Sequence, residues 1–156
     1  MPKRVLFVCL GNICRSPTAH GVFQQRVDGA GLSDAVLVDS AGTAGWHCGR
    51  APDPRSQAFA AAHGYDLSAL RARQVAAEDF RQFDYILAMD RANLSDLQAL
   101  RPVDSRAELA LFLDYADGAC DEVPDPYYGG DDGFVTVLRL VEAAADGLLT
   151  AIRRTL

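Results

Sequence analysis

The sequence has no C-x2-C pair, and no spacing that would gather Cys9, Cys14, Cys48 or Cys120 with His20, His47 or His63 around a tetrahedral metal. A zinc site is therefore not expected, and reduced thiols in a cytoplasmic setting are. No apolar run approaches the ~20 residues that a membrane-spanning helix requires. The G-x4-G-K-[ST] pattern of an ATP-binding loop is absent. Basic residues are in deficit, 15 Lys and Arg against 21 Asp and Glu, a net charge of −6. That leaves no cationic footprint for nucleic acid or for an anionic membrane surface. Low-complexity tracts are missing too, and 49% hydrophobic with 23% charged residues is the balance of an ordinary globular chain. A single domain over residues 1–156 is expected to bury roughly 70% of its unfolded surface without cross-links.

Against this acidic background one stretch stands out: Val8-Cys9-Leu10-Gly11-Asn12-Ile13-Cys14-Arg15-Ser16-Pro17. Residues 3–8 end in an uninterrupted apolar run, which suits a strand buried on both faces of a parallel sheet and is too short for a signal peptide. Cys9 falls at its carboxyl end. Gly11 and Asn12 belong to the residue types that most readily take positive φ, so the backbone can curl with successive N–H groups pointing inward around an anion. Ser16 reads as a helix N-cap and Pro17 as the first helical residue, which aims the positive end of the helix dipole at the same loop. Arg15 adds a planar fork suited to two phosphate oxygens at once. All of these favour the charged form of a cysteine among them. The stretch describes a nucleophile inside a phosphate-sized cradle.

A second element is Val123-Pro124-Asp125-Pro126-Tyr127-Tyr128-Gly129-Gly130. Two prolines stiffen the backbone around one carboxyl, as a general acid needs if it is to meet a leaving oxygen at hydrogen-bond distance. Taken alone, the same residues also suit a surface turn. Trp46, the only tryptophan, reads from burial preferences as partly buried packing, and Ser40 reads as a turn former.

Between these elements the pattern predicts a helix over residues 18–31 and a strand over 35–40 closed by Gly42. A helix follows, opened by Pro52-Asp53-Pro54 and stopped by Gly64, then a short one over 78–83. A strand over 85–89 ends at Asp90, a helix over 93–100 stops before Pro102, a strand covers 109–113, and a long helix covers 133–156. Strands separated by helices imply an open parallel sheet with helices on both faces, whose ligands bind at the carboxyl ends of the strands.

Cys9 to Arg15-Ser16 forms a Cys-x5-Arg-Ser pattern that resembles the signature of the low-molecular-weight protein tyrosine phosphatases. Asp39-Ser40-Ala41-Gly42-Thr43, Trp46, Pro52-Asp53-Pro54-Arg55, Ala72-Arg73-Gln74-Val75, Asp84 to Asp90 and Asp125-Pro126-Tyr127-Tyr128-Gly129 look like further family blocks in family order. The resemblance implies an α/β three-layer sandwich with a four-stranded parallel sheet and a phosphate-binding loop after the first strand. It implies Cys9 as the nucleophile that becomes a phosphocysteine, with Arg15 and the loop residues Leu10, Gly11, Asn12, Ile13 and Cys14 around the phosphate. Ser16 would stabilise Cys9, and Ser40 would hold Asn12. Asp125 would serve as acid and then base, and Trp46, Tyr127 and Tyr128 would border the substrate ring. No metal or organic cofactor is implied. The implied partners are phosphotyrosine proteins, with inhibition by phosphate or vanadate. One departure is Leu70, where some relatives carry histidine.

Two other readings stand beside this one. Thiol-dependent arsenate reductases of similar fold share the loop, but they relay a disulfide through a further cysteine pair. Here Cys48 and Cys120 are far apart in sequence, and no such pair accompanies residues 85–90. A phosphate-binding module without turnover would have lost a key residue, whereas Cys9, Arg15, Ser16 and Asp125 are all present. The closeness of Cys9 and Cys14 in one loop further suggests a reversible disulfide between them under peroxide.

Overall fold

In the computed structural model, which describes residues 1–118, 120–126 and 131–156, four parallel strands lie in the order β2-β1-β3-β4. They are β1 (Lys3–Cys9), β2 (Val36–Gly42), β3 (Tyr85–Ala88) and β4 (Glu108–Leu111). The helices are α1 (Arg15–Gly29), α2 (Pro54–Ala62), α3 (Asp79–Gln82), α4 (Arg91–Leu100) and α5 (Asp131–Arg153).

β1 is interior to the sheet, and its side chains divide between two cores as strand alternation requires. Val5, Phe7 and Cys9 face a cluster with Val22 and Phe23 of α1, Ala60 of α2, and Val137, Val141, Ala144 and Leu148 of α5. Leu6 and Val8 face a second cluster with Phe80 of α3 and Leu97 of α4. Both faces are therefore covered, which explains why residues 5–9 are uniformly apolar. Phe7 meets Phe23 and Phe112 edge-on, with ring centroids 5.6 and 4.8 Å apart. α5 passes so close to the chain at Tyr115 that a Cβ on Gly147 would lie 1.8 Å from the Tyr115 carbonyl oxygen, so this crossing admits only glycine. No helix among the described residues is long and apolar enough to cross a membrane.

Of the boundaries that differ from the sequence expectation, three have a clear physical reason. β2 runs on to Gly42, because Gly42 pairs with Cys9 at the last rung of the β1 ladder. β4 begins at Glu108 and ends at Leu111, since β3 offers only Tyr85–Ala88 for pairing. The apolar residues beyond it, Phe112 and Leu113, are buried by a 3-10 turn over Phe112–Tyr115 instead. α1 starts at Arg15, earlier than expected, for a reason that belongs to the site.

Candidate active site

β1 delivers Cys9 to the carboxyl edge of the sheet, with its side chain 3% exposed. The chain then turns over the end of β2: Thr43 N–H donates to the Cys9 carbonyl and Ala44 N–H to that of Leu10, both at 2.9 Å. The approach is close. A Cβ on Gly42 would lie 2.7 Å from the Leu10 carbonyl oxygen and 3.1 Å from the Asn12 nitrogen, backbone atoms that cannot yield.

Asn12 takes the left-handed conformation, φ 58°, and Gly11 does not. Asparagine tolerates that region, and its side chain is engaged at both ends. Nδ2 donates to Ser16 Oγ at 2.7 Å, and Oδ1 accepts from the backbone N–H of Arg73 at 3.0 Å. The Asn12 N–H points at Cys9 Sγ, 3.3 Å away, and Ser16 Oγ lies 3.0 Å from the same sulfur. Ser16 therefore does not cap the helix. α1 begins at Arg15 with Cys14 in the cap position and no side-chain cap bond, because the Ser16 hydroxyl is committed to Cys9 and Asn12.

Ser40 needs a second correction. Its hydroxyl lies 3.1 Å from His20 Nδ1, and it is Ser16 and Arg73 that hold Asn12. His20 follows Ser16 by four residues on α1, which places the imidazole on the face that packs against β2. Burial pushes the His20 ring below its usual range, although the Asp39 carboxylate nearby opposes the shift.

Arg73 was present in the sequence only within a family block. Its carbonyl accepts from Gly42 N–H at 2.8 Å, and its guanidinium spans Asp39 and Asp79, each at 3.1 Å. Together with the Asn12 bond, this makes residues 72–75 an outer brace for the loop.

Arg15 is 3% exposed. Nη1 donates to Asp90 Oδ2 at 2.6 Å and to the Val123 carbonyl at 3.1 Å, while Nη2 lies 3.6 Å from Asp125 Oδ2. Burial works against its charge. The negative charge at Cys9 and the bond to Asp90 outweigh that cost, so the guanidinium holds its proton more tightly than usual. Asp90, unassigned by sequence reasoning, uses its other oxygen to accept from Asn93 N–H at 2.7 Å and so caps α4.

Cys9, Leu10, Gly11, Ile13, Cys14 and Arg15 line a cleft of about 260 Å³ that, among the described residues, is also walled by Trp46, His47 and Asp125. Trp46 is 71% exposed, so the reading of it as packing does not hold. His47, a candidate rim residue from its place beside Trp46 in the sequence, lines the cleft as well. Cys14 is buried, and its thiol is pushed up to about 12 by desolvation and by the charges of Asp53, Cys9 and Asp125, against a bond to Ser56. Tyr127 and Tyr128 lie outside the described residues.

Residues 4–156 match the family model described as low molecular weight phosphotyrosine protein phosphatase. A low molecular weight protein-tyrosine-phosphatase of Streptomyces coelicolor is 49% identical over 158 residues, covering 98% of this chain and 95% of that one. The crystal structure of a protein tyrosine phosphatase from Entamoeba histolytica, with Hepes in its active site, superposes with a TM-score of 0.94 at 36% identity, covering 98% of each chain. YfkJ from Bacillus subtilis superposes at 0.93 with 37% identity, covering 99% of this chain and 97% of that one. With a whole-length family match and relatives this similar, the chain belongs to the low molecular weight phosphotyrosine protein phosphatase family.

Proposed function

We propose that this enzyme hydrolyses phosphotyrosine in cytoplasmic proteins, and small aryl phosphates, through a phosphocysteine intermediate. The observation that carries the reading is Cys9 Sγ on the cleft lining, within 3.3 Å of the Asn12 N–H and 3.0 Å of Ser16 Oγ, with Arg15 and Asp125 on the same cleft.

In the first step the Cys9 sulfur attacks phosphorus, and the S–P bond forms as the bond to the phenol oxygen breaks. The loop N–H groups and the donors of Arg15 not committed to Asp90 stabilise the charge on the equatorial oxygens. Asp125 gives its proton to the departing phenolate. In the second step water attacks phosphorus, Asp125 takes a proton from that water, and the S–P bond breaks to return phosphate and the thiolate. Ser16 donates to the sulfur both as attacker and as leaving group. The exposed Trp46 at the cleft wall deepens the site, so a phosphate on a flat phenol reaches Cys9 and one on the short stem of serine does not.

Cys9→Ser tests the reading: phosphate release from a phosphotyrosine peptide should vanish while calorimetric binding of phosphate or vanadate persists. Turnover near that of the parent enzyme would overturn it. An added arm with arsenate and free thiol, followed by thiol oxidation, separates the arsenate reductase reading.

A further inference from the structure

The loop that carries Asp125 is gripped from two sides, and the chemistry above accounts for only one. On the inner side Val123, fully buried, donates its N–H to the Met89 carbonyl at 2.7 Å and accepts from Arg15 at 3.1 Å. On the outer side Glu122 Oε2 accepts from the backbone N–H of Arg91, the first residue of α4, at 2.8 Å. The Arg91 guanidinium also pairs with Asp121, and it lies 3.6 Å from Glu122 Oε1.

The start of α4 thus carries two carboxylates with different duties. Asp90 takes the Asn93 N–H and holds Arg15, while Glu122 takes the Arg91 N–H and holds the acid's loop. Only Val123 and Pro124 separate Glu122 from Asp125, and Pro126 follows. With φ fixed at both prolines, little torsional freedom remains to absorb a displacement of Glu122 before it reaches the Asp125 carboxyl.

We propose that Glu122 is a positioning residue for the general acid, acting through its cap on the α4 N-terminus. The proposal rests on the reading of Asp125 as the acid. The backbone bond, and not the ion pair, is the working contact. Arg91 is 63% exposed, and exposed ion pairs contribute little, whereas a carboxylate accepting from a helix-terminal N–H is charge-assisted and aligned with the dipole.

The test times the phosphorylation of Cys9 alone, in single turnover, with a phosphotyrosine peptide and with an activated aryl phosphate, and also measures phosphate binding. Glu122→Ala should slow the peptide reaction about tenfold, a fraction of the 10²–10⁴-fold that a general acid typically supplies, and leave the activated ester within about twofold. Phosphate affinity should stay unchanged. Glu122→Gln keeps an oxygen for the Arg91 N–H and should recover most of the peptide rate. Arg91→Ala, which leaves that N–H in place, should remain close to the parent enzyme. Equal slowing of both substrates, a weakened phosphate site, or no slowing at all would overturn the proposal, as would a Gln variant no better than Ala. Asp125→Asn run in parallel keeps the two ideas apart. If it shows no leaving-group dependence, the acid assignment has failed; if it alone shows one, only the role of Glu122 has.

Discussion

Arg15 and Asp90, 75 residues apart in sequence, meet at 2.6 Å beneath the cleft, and the same carboxylate caps α4 through Asn93. One side chain thereby fixes the proposed phosphate-binding cation and the start of a helix on the far face of the sheet. Because Arg15 is buried, solvent gives it little compensation if the carboxylate is removed.

Asp90→Ala should therefore destabilise the protein by about 3 kcal/mol, from a buried charge left short of its partner and a helix left without its cap. Urea denaturation measures this. Asp90→Asn retains an acceptor for the Asn93 N–H and should recover about 1 kcal/mol of it. Phosphate affinity should fall in both variants, because neither supplies the charge that aligns Arg15. Unchanged stability and affinity in the Ala variant would contradict the shared role.

Asp125→Asn should show a loss that depends on the leaving group. The phenol of tyrosine, with an unperturbed pKa of about 10, needs its oxygen protonated as the bond breaks, so the phosphorylation step should lose about 10²–10⁴-fold on a phosphotyrosine peptide. An activated aryl ester should lose far less. In the proposed mechanism dephosphorylation also uses Asp125, so steady-state turnover would mask the contrast and the first step has to be timed by itself.

Peroxide should join Cys9 to Cys14. The Cys9 thiolate reduces peroxide and becomes a sulfenic acid, which the Cys14 thiol then captures with loss of water to leave a disulfide that added thiol reverses. Burial pushes the Cys14 thiol up, so ring closure through its thiolate should accelerate as pH rises above neutrality. Mass spectrometry of the linked peptide checks the bond. A Cys14→Ala enzyme that still recovered fully after peroxide would sink the idea.

The same buried thiol should leave a mark on stability at alkaline pH. The native state keeps the Cys14 proton up to about pH 12, whereas the unfolded chain releases it near 9, so the native state binds more protons between those values. Stability should therefore fall as pH rises above 9, by up to about 1.4 kcal/mol per pH unit from this one group. Tyr65, Tyr85 and Tyr115 are also raised, and they add a loss of the same sign above 10. Denaturation midpoints at pH 8.5, 9.2 and 9.8 isolate the Cys14 share, which Cys14→Ala should abolish.

What the sequence revealed was local. Cys9 at the end of an apolar run, Arg15 and Ser16 behind it, and Asp125 between two prolines could each be read within about ten residues, and the structure brings all four to one cleft or its immediate support. Asp90, Arg73 and Glu122 had no such signal. Each acts on a residue far away in sequence or on a backbone group, as in the bond from Arg73 N–H to Asn12, 61 residues back. Ser40 shows the reverse error. Its position in a family block pointed to Asn12, but His20 on the adjacent helix occupies its hydroxyl. The fourth strand was carried two residues too far because Phe112 and Leu113 have strand-like side chains, and only the short β3 beside them determines where pairing stops.

The interior position of β1 has a consequence for how the molecule breathes. Its residues 3–9 are paired with β2 and residues 5–8 also with β3, and side chains 5–8 are fully buried. Their amides should exchange with solvent hydrogen only when the whole domain opens, which makes the strand leading to Cys9 part of the slowest-exchanging unit. Asp125 stands on an exposed loop outside every strand and helix, secured at Val123 and Glu122, and such a segment can open at much lower cost. Cys9 and Asp125 thus belong to different cooperative units, and the bond from Arg15 to the Val123 carbonyl is the contact through which an opening of the Asp125 loop reaches the cradle around the sulfur.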